Sequence, residues 1–218
     1  MTVDLRVVAD DGLTGAVVSF FLEATPRTIA LSGGATPRPV YEGLAKVPYD
    51  WAATDIFFGD ERCVAPDHAD SNFRMANDAL LSHISARVHP MDGARCDARG
   101  YERELTSVFG AERPAFDLIF LGLGEDGHTA SLFPGDPALL ETVRSVVLVT
   151  RPDHRRLTLT LPVLNAARVA VFLVAGSEKR VPLTKLLAGE AIPAAAVAAR
   201  RTIVFADEAA AGRSAEPR

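Results

Sequence analysis

The chain has 218 residues, and 23 Lys and Arg against 28 Asp and Glu leave a formal net charge of −5. That balance argues against a dedicated nucleic-acid or anionic-membrane surface. A hydrophobic share of 48% with 23% charged residues argues against disorder, and the length suits one large domain or two small ones.

The opening MTVDLRVVADDG has no basic start followed by a long apolar run, so no secretory signal is expected. A strand is expected at 5–8 and a helix over 12–23. A strand at 28–31 leads to a helix over 39–46, with Thr36 or Arg38 near its cap and Pro39 in its first turn. A strand at 54–58 precedes a helix over 71–84, which Ser71 would cap. A helix over 97–109 is followed by strands at 116–121, 145–149, 157–161 and 168–174. The last helix is expected over 177–188, with Ser177 as cap and Gly189 as stop, and the last strand at 202–206.

The runs DLIFLGLG and RVAVFLVAG are apolar throughout, the pattern of strands covered on both faces of a parallel sheet. RLTLTLP alternates, which suits an edge or an antiparallel pair. The order of elements implies a doubly wound, Rossmann-like α/β fold: a mostly parallel sheet with helices on both faces. A single domain over 1–211 with a frayed tail at 212–218 is expected. The Ala-rich stretch 191–199 carries Pro193 and is too short to span a bilayer. Cys63 and Cys96 offer no disulfide framework and no four-ligand zinc pattern, so a reducing, cytoplasmic setting is expected.

Ligands of such folds bind at the carboxyl ends of the strands, and three post-strand loops there are unusual. The first holds Ser32, Gly33, Gly34 and Thr36. Its glycines let the backbone approach a ligand, and its N–H groups with the next helix terminus make an anion site. A plain tight turn would use the same residues. The second places Asp60, Glu61 and Arg62 directly after Phe57, Phe58 and Gly59; these suit a polar ligand or an internal ion pair. In the third, Gly122, Gly124 and Gly127 surround Asp126 and His128. An imidazole titrates near neutrality and suits general base work, and a neighbouring carboxylate fixes its tautomer. A fourth element puts Lys179 in the first turn of a helix, poor placement for a cation unless it reaches an anion. Arg156 is a weaker candidate of the same kind. No GxSxG elbow and no HExxH occurs.

The segments LSGGATPRPVY, FFGDERCVAPDHADSN, FDLIFLGLGEDGHTASLFPG, RLTLTLPVLNAA and VFLVAGSEKR resemble the 6-phosphogluconolactonase family, within the glucosamine-6-phosphate deaminase and isomerase superfamily. They occur in the family's order over about residues 31–180, with looser agreement out to FADEAAA. The resemblance implies hydrolysis of 6-phospho-D-glucono-1,5-lactone with no required metal or organic cofactor. It carries phosphate binding over to Ser32, Gly33, Gly34, Thr36 and Lys179. It carries the catalytic His over to His128, its neighbouring acid to Asp126, and the Asp and Arg of the second loop to Asp60 and Arg62. The deaminases place a Glu five residues beyond the His; here that residue is Phe133, which favours the lactonase. A sugar-phosphate deaminase and a non-catalytic sugar-phosphate sensor are the alternatives. The expected partner is a small sugar-phosphate lactone, with no nucleic acid and no membrane. A monomer is expected, with a weak dimer as the alternative.

Overall fold

The structure is a computed structural model, and it describes residues 3–9, 11–110 and 112–213. Its first half runs β1 (Val3–Val8), α1 (Leu13–Ala24), β2 (Thr28–Leu31), α2 (Pro37–Leu44), β3 (Asp55–Phe58), β4 (Asp60–Arg62), α3 (Asn72–Ala79), β5 (Arg87–Val88) and α4 (Ala98–Phe109). Its second half runs β6 (Leu118–Gly122), β7 (Val146–Thr150), β8 (Arg155–Leu159), α5 (Leu161–Ala166), β9 (Val169–Val174), α6 (Arg180–Ala188), β10 (Arg201–Asp207) and α7 (Glu208–Ala211). Seven strands form one sheet in the order β1-β10-β9-β6-β2-β3-β5, and every neighbouring pair is parallel.

Successive residues of a strand point to opposite faces, so two adjacent buried aromatics report on both. Phe57 and Phe58 of β3 are both fully buried. Phe57 packs on Tyr101 and Phe109 of α4, while Phe58 packs on Phe73 of α3. Both faces are therefore covered, and the fold is doubly wound. Phe20 of α1 against Phe205 of β10, and Tyr41 of α2 against Phe120 of β6, tie further helices to the sheet. No helix among the described residues is long and apolar enough to cross a membrane.

From β2 the chain proceeds outward to β3 and β5, then returns to the other flank of β2 as β6. The strand order thus reverses between β2 and β6. Loops leaving neighbouring strands at such a point diverge and open a crevice at their carboxyl ends. The loops that follow β2 and β6 contain Ser32, Gly33, Gly34 and Thr36 on one side and Asp126 and His128 on the other.

Asp60–Arg62, expected as a loop, is a strand instead. It opens a second, antiparallel sheet of order β4-β8-β7. Three residues are too few to show a period, and the pairing is made with residues almost a hundred positions away. β8 holds the alternating segment and lies at the centre of that sheet, so the antiparallel option is met and the edge option is not. Helix α2 starts at Pro37 rather than 39 and ends at Leu44. The helix expected over 71–84 is capped by Ser71 but stops at Ala79. Ala79, Leu80 and Leu81 are all buried, and three consecutive buried side chains do not fit one face of a helix, so the chain turns. Residues 177–179 form one tight turn, and α6 starts at Arg180 with Lys179 rather than Ser177 at its cap. Gly189 ends α6 in the left-handed conformation, as expected. Strand β5 and the short helices α5 and α7 were not expected. Residues 214–218 of the expected tail lie outside the described residues.

The two cysteines are also a correction, because Cys63 and Cys96 are joined in a disulfide with Cα atoms 5.2 Å apart. The bond ties the residue after β4 to the segment before α4. It closes a loop of 33 residues, worth about 4 kcal/mol by loop entropy. Reduction is expected to lower the melting temperature by about 10 °C in a chain of this size. Calorimetry with and without a thiol reductant checks this; an unchanged transition would contradict it.

Candidate active site

A cavity of about 340 Å³ opens at the reversal point. It is lined by Ser32, Gly33, Gly34, Thr36, Asp60, Arg62, His128, Arg156 and Lys179. Those are all the expected site residues except Asp126, which stands behind His128.

The loop after β2 is anchored from below. The Tyr41 hydroxyl accepts from the Ser32 N–H and donates to the Ser32 carbonyl, both at 2.9 Å. Burial drives the Tyr41 phenol well above its ordinary value, so it stays neutral and able to donate. The Ser32 hydroxyl is buried without a partner among the described residues. Gly33 is required by contact, since a Cβ there would lie 1.8 Å from Asn72 Oδ1. The loop ends at Thr36, the cap position of α2, whose side chain makes no capping bond. The N–H groups at this helix start are available to an anion.

The loop after β6 folds back on itself through Gly124 N–H to the His128 carbonyl (2.8 Å) and Gly127 N–H to the Gly124 carbonyl (3.0 Å). His128 Nδ1 lies 2.6 Å from Asp126 Oδ1, which also accepts from the His128 N–H at 3.0 Å. Burial raises the Asp126 carboxyl, but the His128 backbone N–H, then its imidazole, outweigh burial and hold it below the usual range. An ionised carboxylate only accepts. Nδ1 therefore carries the proton, and the lone pair of the neutral ring falls on Nε2, the form a general base needs. The opposite face of the problem is apolar: Phe133 packs on the imidazole with ring centroids 4.4 Å apart. Arg151 and Arg156 in turn lie over the Phe133 ring at 4.2 and 5.5 Å.

Strand β4 supplies the third wall. Its register sets Arg62 directly opposite Arg156 of β8. Like charges facing each other across strands repel. Arg62 donates from Nη1 to the Asp70 carbonyl (2.9 Å), and Arg156 is paired with Asp153. Each Nε is buried with no partner among the described residues, and an unpaired buried donor costs about 1–3 kcal/mol. Two guanidiniums with spare donors beside a cavity suit an anion or a developing negative charge. Asp60 is held at both oxygens, by Asn72 Nδ2 (3.2 Å) and the Ser131 hydroxyl (2.6 Å). Lys179 has no ion-pair partner among the described residues, and it shares the cavity with Glu178.

Several contributors were not singled out from sequence. Asn72 follows the cap of α3, and the close approach of Gly33 is what gives it a role. Ser131 is a small residue in an apolar run, and only the fold brings it to Asp60. Phe133 was noticed for the acid it replaces, not for its packing on His128.

A family model described as glucosamine-6-phosphate isomerases/6-phosphogluconolactonase matches residues 9–205. The chain is 47% identical over 191 residues to a 6-phosphogluconolactonase of Synechocystis, covering 83% of this chain and 80% of that protein. It resembles the crystal structure of the 6-phosphogluconolactonase of Thermotoga maritima with a TM-score of 0.85 at 32% identity, covering 94% of this chain and 100% of that one. A monomeric glucosamine-6-phosphate deaminase, 20% identical with a TM-score of 0.82 over 97% of this chain and 100% of that one, shares the fold.

Gly124 tests how the imidazole is held. A Cβ at this position would meet His128 Nδ1 at 2.0 Å. The Gly124→Ala substitution is expected to push the ring off Asp126 while shifting the melting temperature by no more than about 4 °C, because the half-exposed imidazole can swing outward. The hydrogen-bonded Nδ1 proton, followed by NMR, should disappear; its persistence would contradict the placement.

Proposed function

The chain belongs to the glucosamine-6-phosphate isomerase/6-phosphogluconolactonase family, and we propose that it hydrolyses 6-phospho-D-glucono-1,5-lactone to 6-phospho-D-gluconate. The observation that carries this reading is the His128–Asp126 pair at 2.6 Å facing, across one cavity, the glycine loop after β2 and Lys179. It is supported by the lactonase names of relatives that the chain matches over most of its length.

The substrate is a cyclic ester with a phosphate at its far end. The N–H groups of residues 33–36, the Ser32 and Thr36 hydroxyls and the Lys179 ammonium take the phosphate. Binding there sets the register of the ring. His128 Nε2 removes a proton from water as its oxygen attacks the C1 carbonyl. Asp126 holds the imidazole and stabilises the imidazolium that forms. The C1 oxygen becomes an oxyanion, and Arg62, with Arg156 opposite, meets that charge. As the tetrahedral intermediate collapses, the bond from C1 to the ring oxygen breaks and His128 returns the proton to that oxygen. Asp60 orients Arg62 or a ring hydroxyl. No metal or organic cofactor enters these steps.

The amino-sugar deaminase reading calls for an acid five residues beyond the His to help open the sugar ring. Phe133 occupies that place and is packed on His128, so no carboxylate is offered there.

Two variants separate the roles. The lactone is generated in situ with glucose-6-phosphate dehydrogenase and proton release is followed. His128→Ala is expected to lower the catalysed kcat/KM by about 10²–10⁴-fold above spontaneous hydrolysis; near-wild-type turnover would remove His128 as the base. Lys179→Ala is expected to raise KM at least about tenfold with kcat within about threefold, because the phosphate is held in ground and transition states alike. A fall in kcat at constant KM would instead give Lys179 a part in the chemistry.

A further inference from the structure

Side chains of β4 alternate. Asp60 and Arg62 face the cavity, and Glu61 between them turns away from it. Glu61 is 2% exposed, yet its carboxylate is fully occupied. Oε1 accepts from the N–H groups of Arg62 and Asn72, both at 2.8 Å. Oε2 accepts from the Phe73 N–H at 2.7 Å and the Ser71 hydroxyl at 3.1 Å. The carboxylate thus binds the start of α3 to the strand that carries two cavity residues. Charge-assisted bonds of this kind are about twice as strong as neutral ones, and the helix start favours the negative charge.

The disulfide at Cys63 and the bonds of Gly59 hold the two ends of β4, and Glu61 holds its middle. This edge strand has three residues and is paired only with β8. The link through Glu61 also reaches further. Asn72, held by its N–H on Glu61, donates from Nδ2 to the Asp60 carbonyl at 2.9 Å and to its carboxylate at 3.2 Å. Its Oδ1 fills the space left by the missing side chain of Gly33.

We propose that Glu61 is a positioning residue for the reaction: without touching the substrate, it sets the reach of Asp60 and Arg62 into the cavity through β4 and Asn72. The inference rests on the lactonase reading. Burial raises the Glu61 carboxyl against the opposing pull of the Phe73, Asn72 and Arg62 N–H groups. The glycine loop has its own anchor in Tyr41. Loss of Glu61 should therefore disturb the chemistry more than the hold on phosphate.

The test uses Glu61→Gln in the full chain. Glutamine keeps the length but turns an amide NH₂ toward two donors. Its kcat is expected to fall about 10–100-fold, the effect of a misplacement on the order of 1 Å. The KM for the lactone and the Kd for inorganic phosphate, followed by phosphorus NMR, should stay within about twofold, since uniform binding is untouched. Ser71→Ala removes one of the four bonds together with the side-chain cap of α3 and leaves the carboxylate in place; a smaller fall in kcat with the same unchanged phosphate Kd is expected, and it carries the test where the glutamine variant does not fold. Turnover within about twofold of wild type, in variants folded at the assay temperature, would overturn the inference. So would a parallel rise in KM and phosphate Kd, which marks a general loosening. Absence of lactone turnover by the wild-type chain would overturn the lactonase reading and this inference together, whereas an active wild type with unimpaired variants overturns the inference alone.

Discussion

At Gly59 the chain is hydrogen-bonded into both sheets at once: its N–H donates to the Leu31 carbonyl at the end of β2, and its own carbonyl accepts from the Leu159 N–H of β8. The handover has to occur within one residue, because Phe58 is still buried in the parallel sheet and Asp60 already pairs with Thr158. The third wall of the cavity depends on it. It delivers Asp60 and Arg62 to the mouth of the crevice between β2 and β6, and it brings β8, with Arg156, alongside them. The disulfide from Cys63 and the four bonds on Glu61 fasten the same short stretch from its far end and its outer side.

The cavity then has two ends of different character. One is built of backbone N–H groups at the start of α2 and a lone ammonium, and it suits a fixed charge held throughout a reaction. The other is built of an imidazole with its proton placed by a carboxylate and of two facing guanidiniums, and it suits a charge that appears during a reaction. Arg62 opposite Arg156 would be a mild liability in an ordinary sheet. Beside a developing oxyanion the same repulsion is relieved at the moment of reaction, which is the direction catalysis requires. Phe133 completes this end by denying the imidazole a second acid.

The parallel sheet was legible in the sequence because its strands are apolar on both faces, as DLIFLGLG and RVAVFLVAG are. The cavity residues were legible because Gly33, Gly34, Asp126, His128 and Lys179 fill the connections that leave strands with chemistry that packing alone does not need. The second sheet was not legible. Asp60–Arg62 shows no period at three residues, and its pairing partner lies far along the chain. Glu61 read as one charge among three in a polar stretch; its burial exists only once α3 is folded over it. The cysteine pair was missed for a similar reason, since a separation of 33 residues carries no signature until the segments before α4 and after β4 meet. The end of α3 at Ala79 follows from tertiary burial of Leu80 and Leu81 and overrides a sequence that would continue as helix.

The mechanism requires the phosphate at one end of the cavity and C1 at the other. The most direct measurement is a crystal structure of the chain with 6-phospho-D-gluconate bound. The phosphate is expected on the N–H groups of residues 33–36 with Lys179 Nζ in reach, and the C1 carboxylate beside His128 Nε2 and the Arg62 guanidinium. A phosphate seated between Arg62 and Arg156, with the carboxylate on the glycine loop, would contradict the mechanism.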